Sequence, residues 1–154
     1  MEEFCTIKEQ IRPYINISPM KSFKSVGPPK SKKPILCLDL DETLVHSCDY
    51  VVNPNETSIL KFLKVRNGVE QFLEEMHILY ELVVFTSATK EYAKAVVQFI
   101  DTKKYISRVF NREHCRIINK YAVKDLSVVS NDLRRFILLD NSIVSFSMQL
   151  SNGI

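Results

Sequence analysis

The chain has 154 residues, of which 45% are hydrophobic and 25% are charged, and its formal net charge is +3. This length allows one domain with a substantial core, and the composition is ordinary for a soluble globular protein. No apolar run approaches the ~20 residues that span a bilayer, the N-terminus lacks the layout of a signal peptide, and the charge is too small to indicate nucleic-acid binding by itself. We therefore expect an intracellular monomer that binds neither membranes nor nucleic acids.

The four cysteines show no paired spacing of the kind that holds zinc: Cys5, Cys37, Cys48 and Cys115. This usage fits a reducing compartment. We expect a nuclear or cytoplasmic location.

Residues 1–34 differ in composition from the rest of the chain. Residues 21–33 contain five lysines and no acid, together with Gly27-Pro28-Pro29. Proline, glycine, serine and lysine without periodicity are typical of a partly flexible arm. The basic run at 28–34 is also compatible with a nuclear localisation signal, although a solvated arm is the interpretation we favour. We therefore predict an arm at 1–34 and a folded domain at 35–154.

From residue 35 onward, apolar strand patterns alternate with amphipathic helix patterns. The strands are predicted at 35–40, 60–65, 81–86, 106–110 and 136–140. Helices are predicted at 67–80 and 89–101, and a short one at 126–135. This alternation predicts an α/β fold with a mostly parallel sheet that is covered on both faces.

Three of the predicted strands end in a polar residue: Asp39, Thr86 and Asp140. In open α/β sheets, ligands bind at the carboxyl ends of the strands. Each of these residues alone could be a helix cap. Three together, with Asp41 and Asn141 beside them, indicate an active site at this edge of the sheet.

Asp39 and Asp41 lie where the first strand ends. Residues two apart on an extended chain point to opposite faces, so both carboxyl groups reach one centre only if the chain turns at Leu40. One aspartate would then be a nucleophile and the other a proton donor, with a divalent cation to offset their repulsion.

Four stretches of the chain resemble the motifs of the FCP/SCP-type protein phosphatases of the haloacid dehalogenase superfamily. This family is named for dephosphorylating the C-terminal domain of RNA polymerase II. The stretches are Asp-Leu-Asp-Glu-Thr-Leu-Val-His-Ser at 39–47, Val-Phe-Thr-Ser-Ala at 84–88, Val-Lys-Asp-Leu-Ser at 123–127 and Leu-Asp-Asn-Ser at 139–142. The resemblance implies a Rossmann-like fold with a short β insertion after the first motif.

The resemblance also implies a role for each catalytic residue. Asp39 would attack phosphorus, and Asp41 would act as general acid and then as general base. Thr86 would donate its hydroxyl to the phosphate, and Ser87 would bind the substrate next to it. Lys124 would hold both the phosphate and the Asp39 carboxylate.

A magnesium site is implied by the same motifs. The ion would take the Asp39 side chain, the Asp41 carbonyl and the Asn141 side chain, while Asp140 orients water beside it. These are all oxygen donors, which select Mg²⁺ rather than zinc.

Two features depart from the family pattern. The segment at 48–66 is short, and we predict only a reduced hairpin there, with strands at 49–52 and 59–62. Tyr50 is then a candidate pocket residue, although a core position is equally compatible. The chain also ends soon after the fourth motif, which fits either a truncated chain or a minimal domain.

Arg66 is interpreted as a loop or helix-start residue, and His114 has no evident partner.

These inferences predict a Mg²⁺-dependent protein serine/threonine phosphatase that acts through an aspartyl-phosphate. Its substrate would be the RNA polymerase II C-terminal domain or a similar phosphopeptide. Two alternatives remain open: a non-catalytic phosphoprotein-binding module of the same fold, and a small-molecule phosphatase of the same superfamily.

Overall fold

A computed structural model of the chain describes residues 32–47 and 63–154. These residues form eight strands, which are β1 (Ile35–Leu38), β2 (Val45–Ser47), β3 (Leu63–Val65), β4 (Glu81–Phe85), β5 (Ile106–Phe110), β6 (Arg116–Ile118), β7 (Tyr121–Val123) and β8 (Phe136–Leu139). Two α-helices, α1 (Val69–Leu79) and α2 (Lys90–Ile100), precede β4 and β5. Strands β5, β4, β1 and β8 form a parallel sheet in that order. The predicted α/β fold with a parallel sheet is confirmed.

The strands of this sheet are almost wholly apolar because both faces are covered. In β1, the side chains of Leu36 and Leu38 join one core cluster, and those of Ile35 and Cys37 join the other. This alternation follows from the two-residue repeat of a strand. The sheet therefore separates two distinct cores.

Both helices pack on the face that carries Leu36 and Leu38. They contribute the apolar side chains at three- and four-residue steps: Val69, Leu73, Ala93, Val96 and Ile100. Helix α1 begins after Gly68, whose φ of 84° lies in the left-handed region that glycine adopts without strain. Helix α2 begins after Thr89, whose side chain accepts a hydrogen bond from the Tyr92 N–H.

The opposite face is covered by the chain that follows β5. There, β6 and β7 form an antiparallel hairpin, and short 3-10 turns supply Leu126, Val128 and Phe146 to the core. Among the described residues, this layer contains no α-helix.

The prediction of a short helix at 126–135 is wrong. The structure has 3-10 turns at Leu126–Val128 and Leu133–Arg135 instead. The side chains of Asp125 and Asp132 accept backbone N–H groups two residues further on, from Ser127 and Arg134. Such local hydrogen bonds compete with a continuing helix.

Other predicted boundaries differ slightly or lie outside the described residues. Strand β5 has the predicted bounds, whereas β1, β4 and β8 end one or two residues early. Strand β3 keeps only the last part of the segment predicted at 60–65, because residues 60–62 are not described. Both strands of the hairpin predicted at 49–52 and 59–62 also lie outside the described residues. Strand β2, which pairs with β3 from Val45 opposite Val65, was not predicted.

In the part of the chain that the structure describes, neither helix has the length and apolar character needed to cross a bilayer.

Candidate active site

The turn after β1 brings Asp39 and Asp41 to the carboxyl edge of the sheet. The Leu40 carbonyl accepts hydrogen bonds from the N–H groups of Thr43, Leu44 and Val45, at 3.2, 2.9 and 3.0 Å. Three donors on one carbonyl fold the chain back on itself directly after Asp41. Such a tight reversal requires a left-handed residue, and Glu42 takes it with φ of 62°. The predicted turn at Leu40 is thus present.

Arg66 holds this turn from outside. Its Nε donates to the Thr43 carbonyl at 2.6 Å, and its Nη2 donates to the Glu42 carbonyl at 3.0 Å. Arg66 lies in the loop before α1, as predicted, but its role in the turn was missed. The contact joins residues more than 20 positions apart, and no local pattern signals it.

Lys124 lies between two carboxylates at the ends of neighbouring strands. Its Nζ donates to Asp39 Oδ1 at 2.6 Å and to Asp140 Oδ2 at 2.5 Å. The Lys124 side chain is only 1% exposed. The two aspartates lie side by side because β1 pairs with β8, and the Asp39 N–H donates to the Leu139 carbonyl at 3.0 Å. The structure therefore brings three predicted site residues into direct contact.

Burial sets the protonation behaviour of this cluster. Burial raises the pKa of Asp39 from 3.8 to about 6, although the Lys124 ammonium beside it acts in the opposite direction. Burial disfavours the charged form of Lys124 too, but the carboxylates of Asp39 and Asp140 outweigh this and raise the pKa of Lys124. The two carboxylates therefore favour the protonated form of Lys124.

The loop that carries Lys124 is anchored by the residue that follows it. Asp125 accepts hydrogen bonds from Arg116 Nε at 2.6 Å and from Gln149 Nε2 at 3.0 Å. It also accepts the Ser127 hydroxyl at 2.7 Å. Burial opposes the charge on Asp125, but these donors prevail and lower its pKa. The Lys124 N–H donates to the Ser145 carbonyl at 2.6 Å, which fixes the backbone as well.

Asp41 is half-buried in the turn and contacts helix α2. The Tyr92 hydroxyl donates to Asp41 Oδ1 at 2.5 Å. Sequence reasoning missed Tyr92, which reads as one more residue of an amphipathic helix. A tyrosine in the first turn of the helix after the Thr86 loop is the signal that could have drawn attention to it.

Thr86 and Ser87 follow β4, the other neighbour of β1. Thr86 is fully buried, and its Oγ1 accepts the Ala88 N–H at 3.0 Å. Ser87 is half-buried, and its carbonyl accepts Arg112 Nε at 2.6 Å. The Arg112 N–H donates to the Ala88 carbonyl at 2.8 Å. Arg112 therefore fixes the loop in which both predicted phosphate-binding residues lie.

The oxygen donors proposed for a metal lie at the ends of β1 and β8. Asn141 is exposed, and a groove of about 510 Å³ opens beside it and Asp140. Both Asp140 oxygens are engaged, Oδ2 with Lys124 and Oδ1 with the Ser142 N–H at 2.8 Å. Within the described ranges, no three His, Cys, Asp or Glu residues cluster as metal ligands. The predicted magnesium ligands differ from such a cluster, since they are the Asp39 carboxylate, the Asp41 backbone carbonyl and the Asn141 amide.

Two further sequence predictions have different outcomes. Tyr50, the candidate pocket residue, lies outside the described residues. His114, which had no evident partner, does have partners. Its Nδ1 accepts the Asn111 N–H at 3.2 Å, and its ring meets Phe110 edge-on with centroids 5.2 Å apart. These contacts make His114 a structural residue of the chain beyond β5.

Comparisons with known proteins indicate one family of phosphatases. The family model described as NLI interacting factor-like phosphatase matches residues 34–154. CTD small phosphatase-like protein 2 of Dictyostelium discoideum is 32% identical over 162 residues, which cover 94% of this chain and 29% of that protein. CTD nuclear envelope phosphatase 1B of Danio rerio is 39% identical over 141 residues, which cover 80% of this chain and 58% of that protein. The chain thus spans less than two thirds of the length of these relatives.

Solved structures show the same fold. The structure of Fcp1, described as an essential RNA polymerase II CTD phosphatase, is 26% identical and has a TM-score of 0.63. The match covers 79% of this chain and 41% of the chain in that structure. A haloacid dehalogenase-superfamily hydrolase from Geobacter sulfurreducens is 10% identical with a TM-score of 0.52, over 73% of this chain and 82% of that one, and shares the fold alone.

The parallel sheet, with its aspartates and lysine at one edge, defines a domain of the haloacid dehalogenase superfamily. Within that superfamily, the chain belongs to the NLI interacting factor-like phosphatase family.

Proposed function

We propose that this chain is a Mg²⁺-dependent phosphatase of phosphoserine or phosphothreonine in proteins, acting through an aspartyl-phosphate on Asp39. The observation that carries the proposal is the buried Lys124 ammonium, which lies within 2.6 Å of both Asp39 and Asp140 at the carboxyl edge of the sheet. A buried lysine held by two carboxylates is costly as a purely structural element. It is useful where a phosphate must be held against an attacking carboxylate, because their negative charges repel.

The proposed reaction has two steps. In the first, an Asp39 oxygen forms a bond to phosphorus while the bond from phosphorus to the substrate oxygen breaks, and Asp41 gives that oxygen a proton. In the second, Asp41 takes a proton from water, the water oxygen bonds to phosphorus, and the bond to Asp39 breaks. Lys124 and the Thr86 hydroxyl hold the phosphate oxygens throughout.

The donors at this edge fit a magnesium ion. Asp39, the Asp41 carbonyl and Asn141 would hold it through oxygen atoms, which are the ligands that Mg²⁺ prefers. Both Asp140 oxygens already accept hydrogen bonds, from Lys124 and from the Ser142 N–H, so Asp140 would lie beside the ion and orient its water through the remaining lone pairs. When bound, Mg²⁺ would offset the negative charge of the phosphate and of Asp39.

The proposal of a protein substrate rests on the relatives. Fcp1 is described as an RNA polymerase II CTD phosphatase, and the Dictyostelium relative is named a CTD small phosphatase-like protein. We therefore propose that domain, or a similar phosphopeptide, as the substrate class. The name of the Danio rerio relative refers to the nuclear envelope, and we propose a nuclear or cytoplasmic location for this chain.

The reaction class is tested by hydrolysis of p-nitrophenyl phosphate with and without Mg²⁺, with wild type beside Asp39→Asn. We expect Mg²⁺-dependent turnover that the substitution removes, because the amide keeps the shape of the carboxylate and lacks its attacking charge. Turnover that survives in Asp39→Asn would refute the assignment of the nucleophile.

The substrate is tested with a panel of phosphopeptides that carry phosphoserine, phosphothreonine or phosphotyrosine. Faster release of phosphate from the first two supports the proposed specificity. Preference for small sugar phosphates over every peptide would favour a small-molecule phosphatase. Tight peptide binding with no turnover by folded protein would favour a binding module.

A further inference from the structure

We infer that Tyr92 is a positioning residue that orients the carboxyl group of Asp41 toward the leaving oxygen of the substrate. This inference rests on the function proposed above. It concerns a residue on α2, outside the four motifs, whose contact with the active site is seen only in the folded chain.

The contact itself is short and spans a long stretch of sequence. The Tyr92 hydroxyl donates to Asp41 Oδ1 at 2.5 Å, although the two residues are 51 positions apart. Both side chains are half-buried. A short hydrogen bond to a carboxylate that is partly shielded from water is stronger than a neutral one at the surface.

The backbone of Tyr92 is fixed to the loop that carries Thr86. Its N–H donates to Oγ1 of Thr89, the residue that caps α2, at 3.4 Å. One turn earlier, the Ala88 N–H donates to Thr86 Oγ1, and the Ala88 carbonyl accepts the Arg112 N–H. The first turn of α2 and the proposed phosphate-binding loop are therefore one connected unit, and Tyr92 extends from it to Asp41.

This arrangement distinguishes the two oxygens of Asp41. Because Oδ1 accepts the Tyr92 hydroxyl, Oδ2 is the oxygen left to carry the proton when Asp41 acts as the general acid. When the bond from phosphorus to the leaving oxygen breaks, that proton passes from Oδ2 to the leaving oxygen. The same oxygen receives a proton from water in the second step. Tyr92 would thus fix which oxygen transfers the proton and in which plane, and a small misplacement of such a group is costly to the rate.

The test uses Tyr92→Phe, which removes only the hydroxyl, with two substrates that differ in leaving group. Release of p-nitrophenolate needs little help from an acid, whereas the more basic phenolate of phenyl phosphate needs a proton. We expect kcat/KM for phenyl phosphate to fall ~10-fold more than that for p-nitrophenyl phosphate, a part of the 10²–10⁴-fold that general acids contribute. Because both substrates are measured on one preparation, the ratio does not depend on the fraction of folded protein.

Tyr105→Phe is the matched control. It also removes a hydroxyl that donates to a carboxylate, in this case to exposed Glu74 at 3.3 Å. We expect the ratio of the two rates in this variant to equal that of wild type. Equal losses on both substrates in Tyr92→Phe would overturn the inference, because a merely structural or substrate-binding role slows both reactions alike.

A double variant gives a second, independent test. If Tyr92 acts through Asp41, adding Tyr92→Phe to Asp41→Asn should cause no further loss on phenyl phosphate. A further loss would overturn the inference. Failure of the proposed function is distinguishable, because it would appear as absent Mg²⁺-dependent turnover in wild type, before any variant is compared.

Discussion

At the scale of single residues, the site depends on one buried cation. Lys124 offsets part of the negative charge of two carboxylates that β1 and β8 place side by side, and without it these would repel each other more strongly in a region with little water. Its effect on Asp39 is direct, because the ammonium opposes the burial that raises the pKa of this carboxyl group, and the balance of the two leaves that pKa at about 6.

Replacing this lysine should therefore damage stability in a pH-dependent way. In Lys124→Met, the pKa of Asp39 should rise further above its unfolded value, because the lysine no longer lowers it. A carboxyl group with a raised folded-state pKa favours the fold at low pH, and that contribution is lost as pH rises through the folded pKa. We expect the variant to be less stable than wild type by ~3–5 kcal/mol at pH 8, by the cost of an unpaired buried charge, and by much less at pH 5.

Urea unfolding at both pH values, in a chelator, measures this difference. Lys103→Met is the control, since Lys103 pairs with Glu74 at 3.1 Å on the surface and should contribute little at either pH. Equal deficits of Lys124→Met at pH 5 and pH 8 would contradict the prediction.

The residues of the site differ in how far sequence could predict them. Asp39 and Asp140 were predicted because a charged residue at the end of an apolar strand has few structural explanations, whereas Lys124 was predicted only from the resemblance of its motif to that of the family. Tyr92 and Arg66 were not assigned to the site, because each reaches it through a contact with a residue far away in the chain. The catalytic, phosphate-binding and metal-binding roles given to all residues of the site remain predictions.

At the scale of elements, the conformation of the turn after β1 is stabilised by a contact from another loop of the chain. Glu42 is held in a left-handed conformation, which is unfavourable for a residue with a side chain. Its carbonyl and that of Thr43 are held by Arg66, in the loop before α1. The position of Asp41 is therefore set partly by the start of a helix that follows it by more than 20 residues.

Removing this contact should impair catalysis more than folding. In Arg66→Met we expect kcat to fall ~10- to 100-fold, because a displacement of about 1 Å in a reacting group can cost this much. Turnover of p-nitrophenyl phosphate across a Mg²⁺ titration measures the effect. Arg134→Met is the control, since Arg134 pairs with Asp132 on the surface and should leave turnover unchanged. Wild-type turnover in Arg66→Met would refute the role of Arg66.

Sequence predicted some elements much better than others. The helices were found within two residues because their apolar faces repeat over three turns. Strands β6 and β7 were missed, since each has only three residues and is partly exposed. Their turn also carries no glycine that would signal it, since the two residues with positive φ values are Asn119 and Lys120.

At the scale of the whole molecule, the sheet has unlike coverings on its two faces. Sequence predicted a parallel sheet covered on both sides, but not the order of its strands or the irregular second layer. That layer contains 3-10 turns that are capped by the side chains of nearby aspartates. Its apolar residues do not repeat at the spacing of a helix or a strand, so the sequence pattern does not predict it. The proposed arm at 1–34 and the monomeric state stay predictions.

The last residues of the chain pack tightly into this second layer. Gly153 pairs with Leu138 of β8, and a Cβ at Gly153 would lie 2.1 Å from the ring of buried Phe146. We expect Gly153→Ala to lower the free energy of unfolding by ~1–3 kcal/mol, the usual cost of overpacking. Urea unfolding measures it.

A compensating substitution separates this clash from other causes. Phe146→Leu should cost less in the Gly153→Ala background than in wild type, because the smaller side chain makes room. Gly68→Ala is the comparison, since a Cβ there meets nothing within 4 Å and its cost comes from a φ of 84° alone. Additive effects of Gly153→Ala and Phe146→Leu would contradict the prediction.

The ion pair between Lys124 and Asp39 also has a consequence for the order of events during synthesis. The two residues are 85 positions apart. At ~5–20 residues per second, the ribosome adds Lys124 roughly 4 to 17 seconds after Asp39. Throughout that interval the nascent chain carries its proposed nucleophile without the cation that neutralises it. Strand β8, which must insert beside β1, is made later still. The proposed active site is therefore completed only after β8 has been made, and no folding product that precedes Lys124 and Asp140 can carry it.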